Sequence, residues 1–171
     1  MKERSGIITA KGGPLTLLGN EIKVGDLAPE FELADNDLKP FKSSALNGKI
    51  CIISTVPSLD TPTCDIETRR FNKEAEQLGD KVTVLTVSMD LPFAQKRWCG
   101  AAGVNNVMTL SDYRGATFGA AYGVLIKELH LLARVIFVVD QKGVIRYIQT
   151  VKDITTEPNY DEVIGAVKKL L

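Results

Sequence analysis

The stretch PSLDTPTC, residues 57–64, follows the apolar run KICIISTV and sets a cysteine at the head of the helix-forming sequence DIETRRFNKEAEQLG. Pro62 suits the first helical position, where a missing backbone N–H costs nothing, which makes Thr61 the N-cap and Cys64 the third helical residue. The unpaired N–H groups at a helix start stabilise an anion, and a thiolate is one. Cys64, Thr68, Phe71, Ala75 and Leu78 recur every three or four positions, so the sulfur belongs to the buried face. Burial alone makes a cysteine inert, and a packed thiol is the plainest reading of any one cysteine. The cap-Pro-x-Cys start at a strand-to-helix turn favours a reactive thiol instead.

A free cysteine thiol ionises near pH 8.5, and bringing one to about pH 6 takes about 3.4 kcal/mol in favour of the thiolate. A helix start contributes at most about 2 kcal/mol, and Asp65 and Glu67 are expected to work against it. A cation has to supply the remainder. Arg69 and Arg70 lie a turn or more along the helix and are expected to face water. Arg134 introduces the strand RVIFVVD, a place from which a guanidinium can be held rigidly beside the sulfur. Its charge-assisted hydrogen bond, about 1.5–3 kcal/mol, closes the gap.

With these residues in place the chain resembles the peroxiredoxins. Pro57, Thr61 and Cys64 match the signature P-x-x-x-T/S-x-x-C, and the longer PSLDTPTCDIETRRFN is similar to the thiol peroxidase branch of that family. The likeness runs along essentially the whole chain, through the amino-terminal hairpin, LLARVIFVVD and ITTEPNYDEV. It implies a thioredoxin-like α/β fold, with a central mixed β-sheet flanked by helices and an N-terminal β-hairpin extension. It also implies an atypical two-cysteine peroxidase that needs neither cofactor nor metal.

Carried over residue by residue, the resemblance makes Cys64 the peroxidatic cysteine, whose thiolate attacks the O–O bond of hydrogen peroxide or of an organic (alkyl or lipid) hydroperoxide. Thr61 and Arg134 take the hydroxyl and guanidinium positions that orient the peroxide, and Pro57 shields the sulfur from water. Attack leaves a sulfenic acid that a second thiol must trap before overoxidation. Cys99, in QKRWCGAAG, is the better candidate, since glycines at 100 and 103 weaken the local structure. It stands at the branch's resolving position, where the disulfide forms within one chain. Joining the two sulfurs requires Cα atoms within about 7 Å, so both segments are expected to unwind in part. The family implies thioredoxin as reductant and a homodimer as the assembly. Two further readings stay open: a general thiol–disulfide oxidoreductase, although C-D-I-E stands where C-x-x-C is usual, and a redox-sensing binding protein with the same cysteines.

The remaining candidates read as structural. Cys51, among isoleucines 50, 52 and 53, belongs to the core, and His130 to the surface or a strand edge. The three cysteines and the one histidine include no closely spaced ligand pair, which argues against zinc. Trp98, Phe93 and Tyr122 are either core aromatics or an apolar wall for alkyl hydroperoxides. The glycines of YRGATFGAAYGV lack the spacing of a phosphate loop, and close packing or a subunit contact explains them better.

The elements that must position this chemistry follow from periodicity. Two apolar runs around Lys11-Gly12-Gly13-Pro14 predict a hairpin over residues 1–19. From Lys49 onward β-rich runs alternate with helical patterns, which predicts parallel strands joined by helical crossovers. Gln141-Lys142-Gly143 then turns one strand back on another, and NYDEVIGAVKKLL closes the chain as a helix. With no repeat or linker, residues 1–171 read as one domain, long enough to need no disulfide staple. Twenty-one acidic and 21 basic residues leave no net charge to attract nucleic acid or an anionic membrane. No segment has the apolar length of a signal peptide or a membrane span. Three widely spaced cysteines argue for a reducing compartment, hence the cytoplasm.

Overall fold

The computed structural model describes residues 1–171. A hairpin comes first, β1 (Glu3–Ala10) and β2 (Gly13–Leu18), joined through Lys11 and Gly12 at φ 49° and 81°. Positive φ at both turn residues matches the twist of the strands, and glycine adopts it without strain. Two short strands follow, β3 (Glu32–Ala34) and β4 (Pro40–Lys42). The expected alternation then appears as β5 (Ile50–Thr55), α1 (Pro62–Leu78), β6 (Val82–Ser88), α2 (Pro92–Ala102) and β7 (Met108–Ser111). Beyond it lie α3 (Thr117–Ala121), β8 (Leu125–Ile126), β9 (Val135–Val139), β10 (Ile145–Thr150) and α4 (Tyr160–Lys168).

Seven strands form one mixed sheet in the order β10-β9-β5-β6-β7-β3-β4. β5, β6 and β7 run parallel through the crossovers α1 and α2, while β9 lies antiparallel to β5. The central strands carry near-continuous apolar runs because both of their faces are covered. Along β5, Ile50 and Ile52 point to one core with Phe71 and Ala75 of α1 and Val163 and Val167 of α4. Cys51 and Ile53 point to the other, with Phe118, Tyr122 and the hairpin residues Ile8, Leu15 and Leu17. Each fully buried isoleucine, leucine, valine or phenylalanine among them contributes about 1.5–3 kcal/mol.

The hairpin is not an appendage. β8 pairs with β2 to extend it to three strands, and Thr9 N–H donates to the Lys152 carbonyl at 2.8 Å. Gly19, at φ 100°, passes so close to the end of α3 that an added Cβ would collide with the Ala120 carbonyl. The small residues of α3 are accounted for by packing within the chain: a Cβ on Gly119 would lie 2.7 Å from Leu132 Cδ2. Tyr122 is likewise a core aromatic, 2% exposed, its hydroxyl donating to the Pro29 carbonyl at 2.8 Å.

Candidate active site

The carboxyl end of β5 runs into the turn Val56–Thr61, and α1 begins where capping chemistry predicts. Thr61 is the N-cap in an extended conformation, and its Oγ1 accepts from Cys64 N–H at 3.4 Å while donating to the Ser58 carbonyl at 2.9 Å. The turn is held from outside by Asp90, whose carboxylate accepts from Ser58 Oγ at 2.7 Å and Leu59 N–H at 2.8 Å. Pro57 is buried beside it. Cys64 has no exposed surface and packs with Val56 and Leu59, and half-buried Trp98 closes over this cluster.

Arg134, immediately before β9, meets the sulfur: its Nη2 donates to Cys64 Sγ at 3.2 Å. The guanidinium is 1% exposed and its N–H groups are spread over three acceptors. Nε and Nη2 donate to the Ile154 carbonyl at 3.2 and 2.8 Å, and Nη1 donates to Glu67 Oε2. Four of the five N–H groups are thereby committed, leaving one on Nη1. Burial works against the Arg134 charge, but the Glu67 carboxylate and the Cys64 sulfur outweigh it and hold its pKa above the ordinary arginine value.

Glu67 corrects the sequence reading, which counted it as a charge opposing the thiolate. It is completely buried, paired to Arg134, and its Oε1 accepts from Ser54 Oγ at 2.8 Å. Burial pushes its carboxyl above the usual range, and Arg134 and Ser54 offset this only in part. Its position three residues after Cys64 on the buried face was the signal: a carboxylate there needs an internal cation. Asp65 is engaged elsewhere, accepting from Trp98 Nε1 at 2.9 Å and Arg69 Nε at 3.0 Å. Arg69 and Arg70 lie outside the site, as expected.

The structure brings Thr61 and Arg134 to Cys64, buries Pro57 in the turn between β5 and α1, and leaves Cys99 apart. Cys99 is half-buried on α2, with Sγ 3.3 Å from Thr109 Oγ1, and both cysteines are free thiols. The neighbouring Trp98 is the α2 side chain that faces Cys64, so a bond between the sulfurs requires α2 to rotate or unwind. The left-handed Gly103 and exposed Gly100 at the end of α2 make that local opening cheap. Phe93, 66% exposed, is not a core residue.

Chains similar to this one settle its kinship. The redoxin family model matches residues 23–164. The chain belongs to the redoxin family. It is 54% identical over 164 residues to a thiol peroxidase of Bacillus subtilis, covering 96% of this chain and 98% of that one. A thiol peroxidase of Halalkalibacterium halodurans matches to the same extent. Among solved structures, a peroxiredoxin-like protein from Aquifex aeolicus superposes with a TM-score of 0.91 at 44% identity, covering 98% of this chain and 99% of that one. As a redoxin of the thiol peroxidase branch, the chain has the thioredoxin-like fold expected of it, with the hairpin added in front.

Two other residues behave as anticipated. His130 is exposed, in a turn at φ 52°. Cys51 is 1% exposed on the far side of the sheet, and burial pushes its thiol up to about 11. A cavity of about 570 Å³ approaches it. A thiol so raised stays protonated at neutral pH, with a thiolate fraction of roughly 10⁻⁴ at pH 7. Iodoacetamide at pH 7 is therefore expected to label Cys99 in the reduced, folded protein and to spare Cys51 until it unfolds. Mass spectrometry of the digested chain checks this, and prompt labelling of Cys51 would contradict it.

Proposed function

We propose that the chain is a thiol-dependent peroxidase in which Cys64 reduces hydrogen peroxide and organic hydroperoxides. The observation that carries this reading is the Arg134 guanidinium donating to a buried sulfur at a capped helix start. The thiolate attacks one peroxide oxygen, the O–O bond breaks, and the sulfur is oxidised to sulfenic acid while the second oxygen leaves as water or alcohol after taking a proton. Charge develops on that departing oxygen, and the remaining Nη1 hydrogen of Arg134 is the donor left to receive it, while the Thr61 hydroxyl, whose hydrogen goes to the Ser58 carbonyl, turns to the peroxide only by releasing that bond. Because Cys64 has no surface open to water, admitting the peroxide takes a small displacement of the Pro57–Thr61 turn or of Trp98. Pro57 limits water at the sulfur.

Cys99 then attacks the sulfenic sulfur, forming the intramolecular disulfide and releasing water. A dithiol reductant, thioredoxin in this reading, restores both thiols. The whole chain, 1–171, acts as one domain, since hairpin residues share a core with the central sheet. The reading further takes the protein to be a homodimer of the cytoplasm, where thiols stay reduced. No helix is long and apolar enough to cross a membrane.

Peroxide consumption coupled to a thioredoxin system tests the scheme. The parent should turn over many equivalents, whereas Cys99→Ser should consume about one equivalent per chain in its first step, and about one more as its sulfenic acid goes on to sulfinic acid, and then stop. A parent that consumes no more than one equivalent favours a sensor over a peroxidase. A parent that reduces insulin faster than it consumes peroxide favours a general oxidoreductase.

A further inference from the structure

We propose that the N-terminal hairpin is part of the reactive apparatus, with Asp153 as the positioning residue that clasps the hairpin tip to residues 151–156 and so holds Arg134 against Cys64. The inference rests on the reading of Cys64 as the reacting thiol. Residues 151–156 belong to no helix or strand, so their place is set by individual hydrogen bonds. Asp153 gathers four of them. Its Oδ2 accepts from Thr9 Oγ1 at 2.8 Å and from Gly12 N–H at 3.0 Å, both on the hairpin. Its Oδ1 accepts from Thr155 N–H at 3.0 Å and Thr155 Oγ1 at 2.5 Å. Backbone bonds reinforce the join, Thr9 N–H to the Lys152 carbonyl and Ile154 N–H to the Thr9 carbonyl, at 2.8 and 2.9 Å.

The next two residues touch the site. The Ile154 carbonyl accepts twice from Arg134 and aims the same Nη2 that reaches Cys64. The Thr155 carbonyl accepts from Thr63 Oγ1 at 3.0 Å, in the first turn of α1 and adjacent to the cysteine. One carboxylate thus ties the hairpin tip to both things the sulfur depends on, the guanidinium and the helix start. The donors from Thr155, Gly12 and Thr9 hold the Asp153 carboxyl well below the usual carboxylate range, so all four stay engaged at neutral pH. Only a carboxylate offers two acceptor atoms here; asparagine would keep one side of the clasp and turn an N–H₂ toward donors on the other.

The test measures the peroxide step and the disulfide step separately by stopped-flow fluorescence of Trp98, the single tryptophan. Asp153→Ala is expected to slow the peroxide step about tenfold, as misplacement of a charged group does. The disulfide step should not slow, Asp153→Asn should fall between parent and alanine, and the pH profile of Cys64 alkylation should move to higher pH. Asp153→Ala with a peroxide step within twofold of the parent, or an unmoved alkylation profile in a folded variant, overturns the proposal. If Asp153→Ala proves unfolded by circular dichroism, Thr9→Val decides, removing one donor only: a slower peroxide step supports the clasp and an unchanged one overturns it. A parent that does not react with peroxide defeats the reading of function instead, and the alkylation profile still reports whether the clasp positions Arg134.

Discussion

Cys64→Ser is expected to abolish hydroperoxide reduction, lowering the rate by about 10⁴-fold or more, as loss of a sole nucleophile does. A serine hydroxyl is un-ionised at neutral pH, and neither other cysteine can take over. Cys51 faces the opposite core with its thiol held protonated, and the Cys99 sulfur, on α2, lies by the Thr109 hydroxyl. The change removes one buried polarisable atom and keeps Thr61 capping the same N–H, so the fold should survive it. Peroxide consumption with dithiothreitol as reductant reads the chemistry without depending on a protein partner. Turnover by the serine variant at the parent's rate would end the assignment of this site.

Arg134→Ala should damage both stability and rate. Without the guanidinium the buried Glu67 carboxylate keeps only Ser54 as a partner, and breaking such a pair from one side costs about 3–5 kcal/mol. The peroxide step should slow about 10²–10³-fold as a preorganised donor is lost. Lysine should not rescue it, because an ammonium cannot serve Glu67, the Ile154 carbonyl and the sulfur in one fixed fork. The pair Arg134→Met with Glu67→Met separates the effects: burying two apolar side chains should restore most of the stability and none of the rate. Denaturant midpoints and stopped-flow peroxide kinetics give the two readouts. An Arg134→Ala chain that is both stable and fast would show the contact with Cys64 to be incidental.

Much of this site is legible in the sequence. Thr61, Pro62 and Cys64 announce a capped helix start through local chemistry, and the capping geometry is as that chemistry requires. The need for a cation followed from magnitudes, since a helix end is too weak alone, and the place of Arg134 at the head of the strand RVIFVVD singled it out. Glu67 was misjudged because its charge was weighed by nearness in sequence to Cys64, whereas its carboxylate is directed at Arg134, 67 residues away. Asp153 was invisible for a related reason: among polar neighbours in KDITTEP it reads as a turn residue, and only contact with Thr9, 144 residues distant, makes it a clasp.

By itself the amino-acid order determined the hairpin, the alternating strands and helices, and the cysteine at a helix start, because turns, caps and periodic faces are properties of a few consecutive residues. Tertiary structure alone decided which acceptors the one buried guanidinium meets, that Trp98 and not Cys99 faces the Cys64 sulfur, and that the hairpin bonds the segment that holds Arg134. Those are pairings between distant segments. A charge carries no label of its partner until the sheet has brought both to the same place.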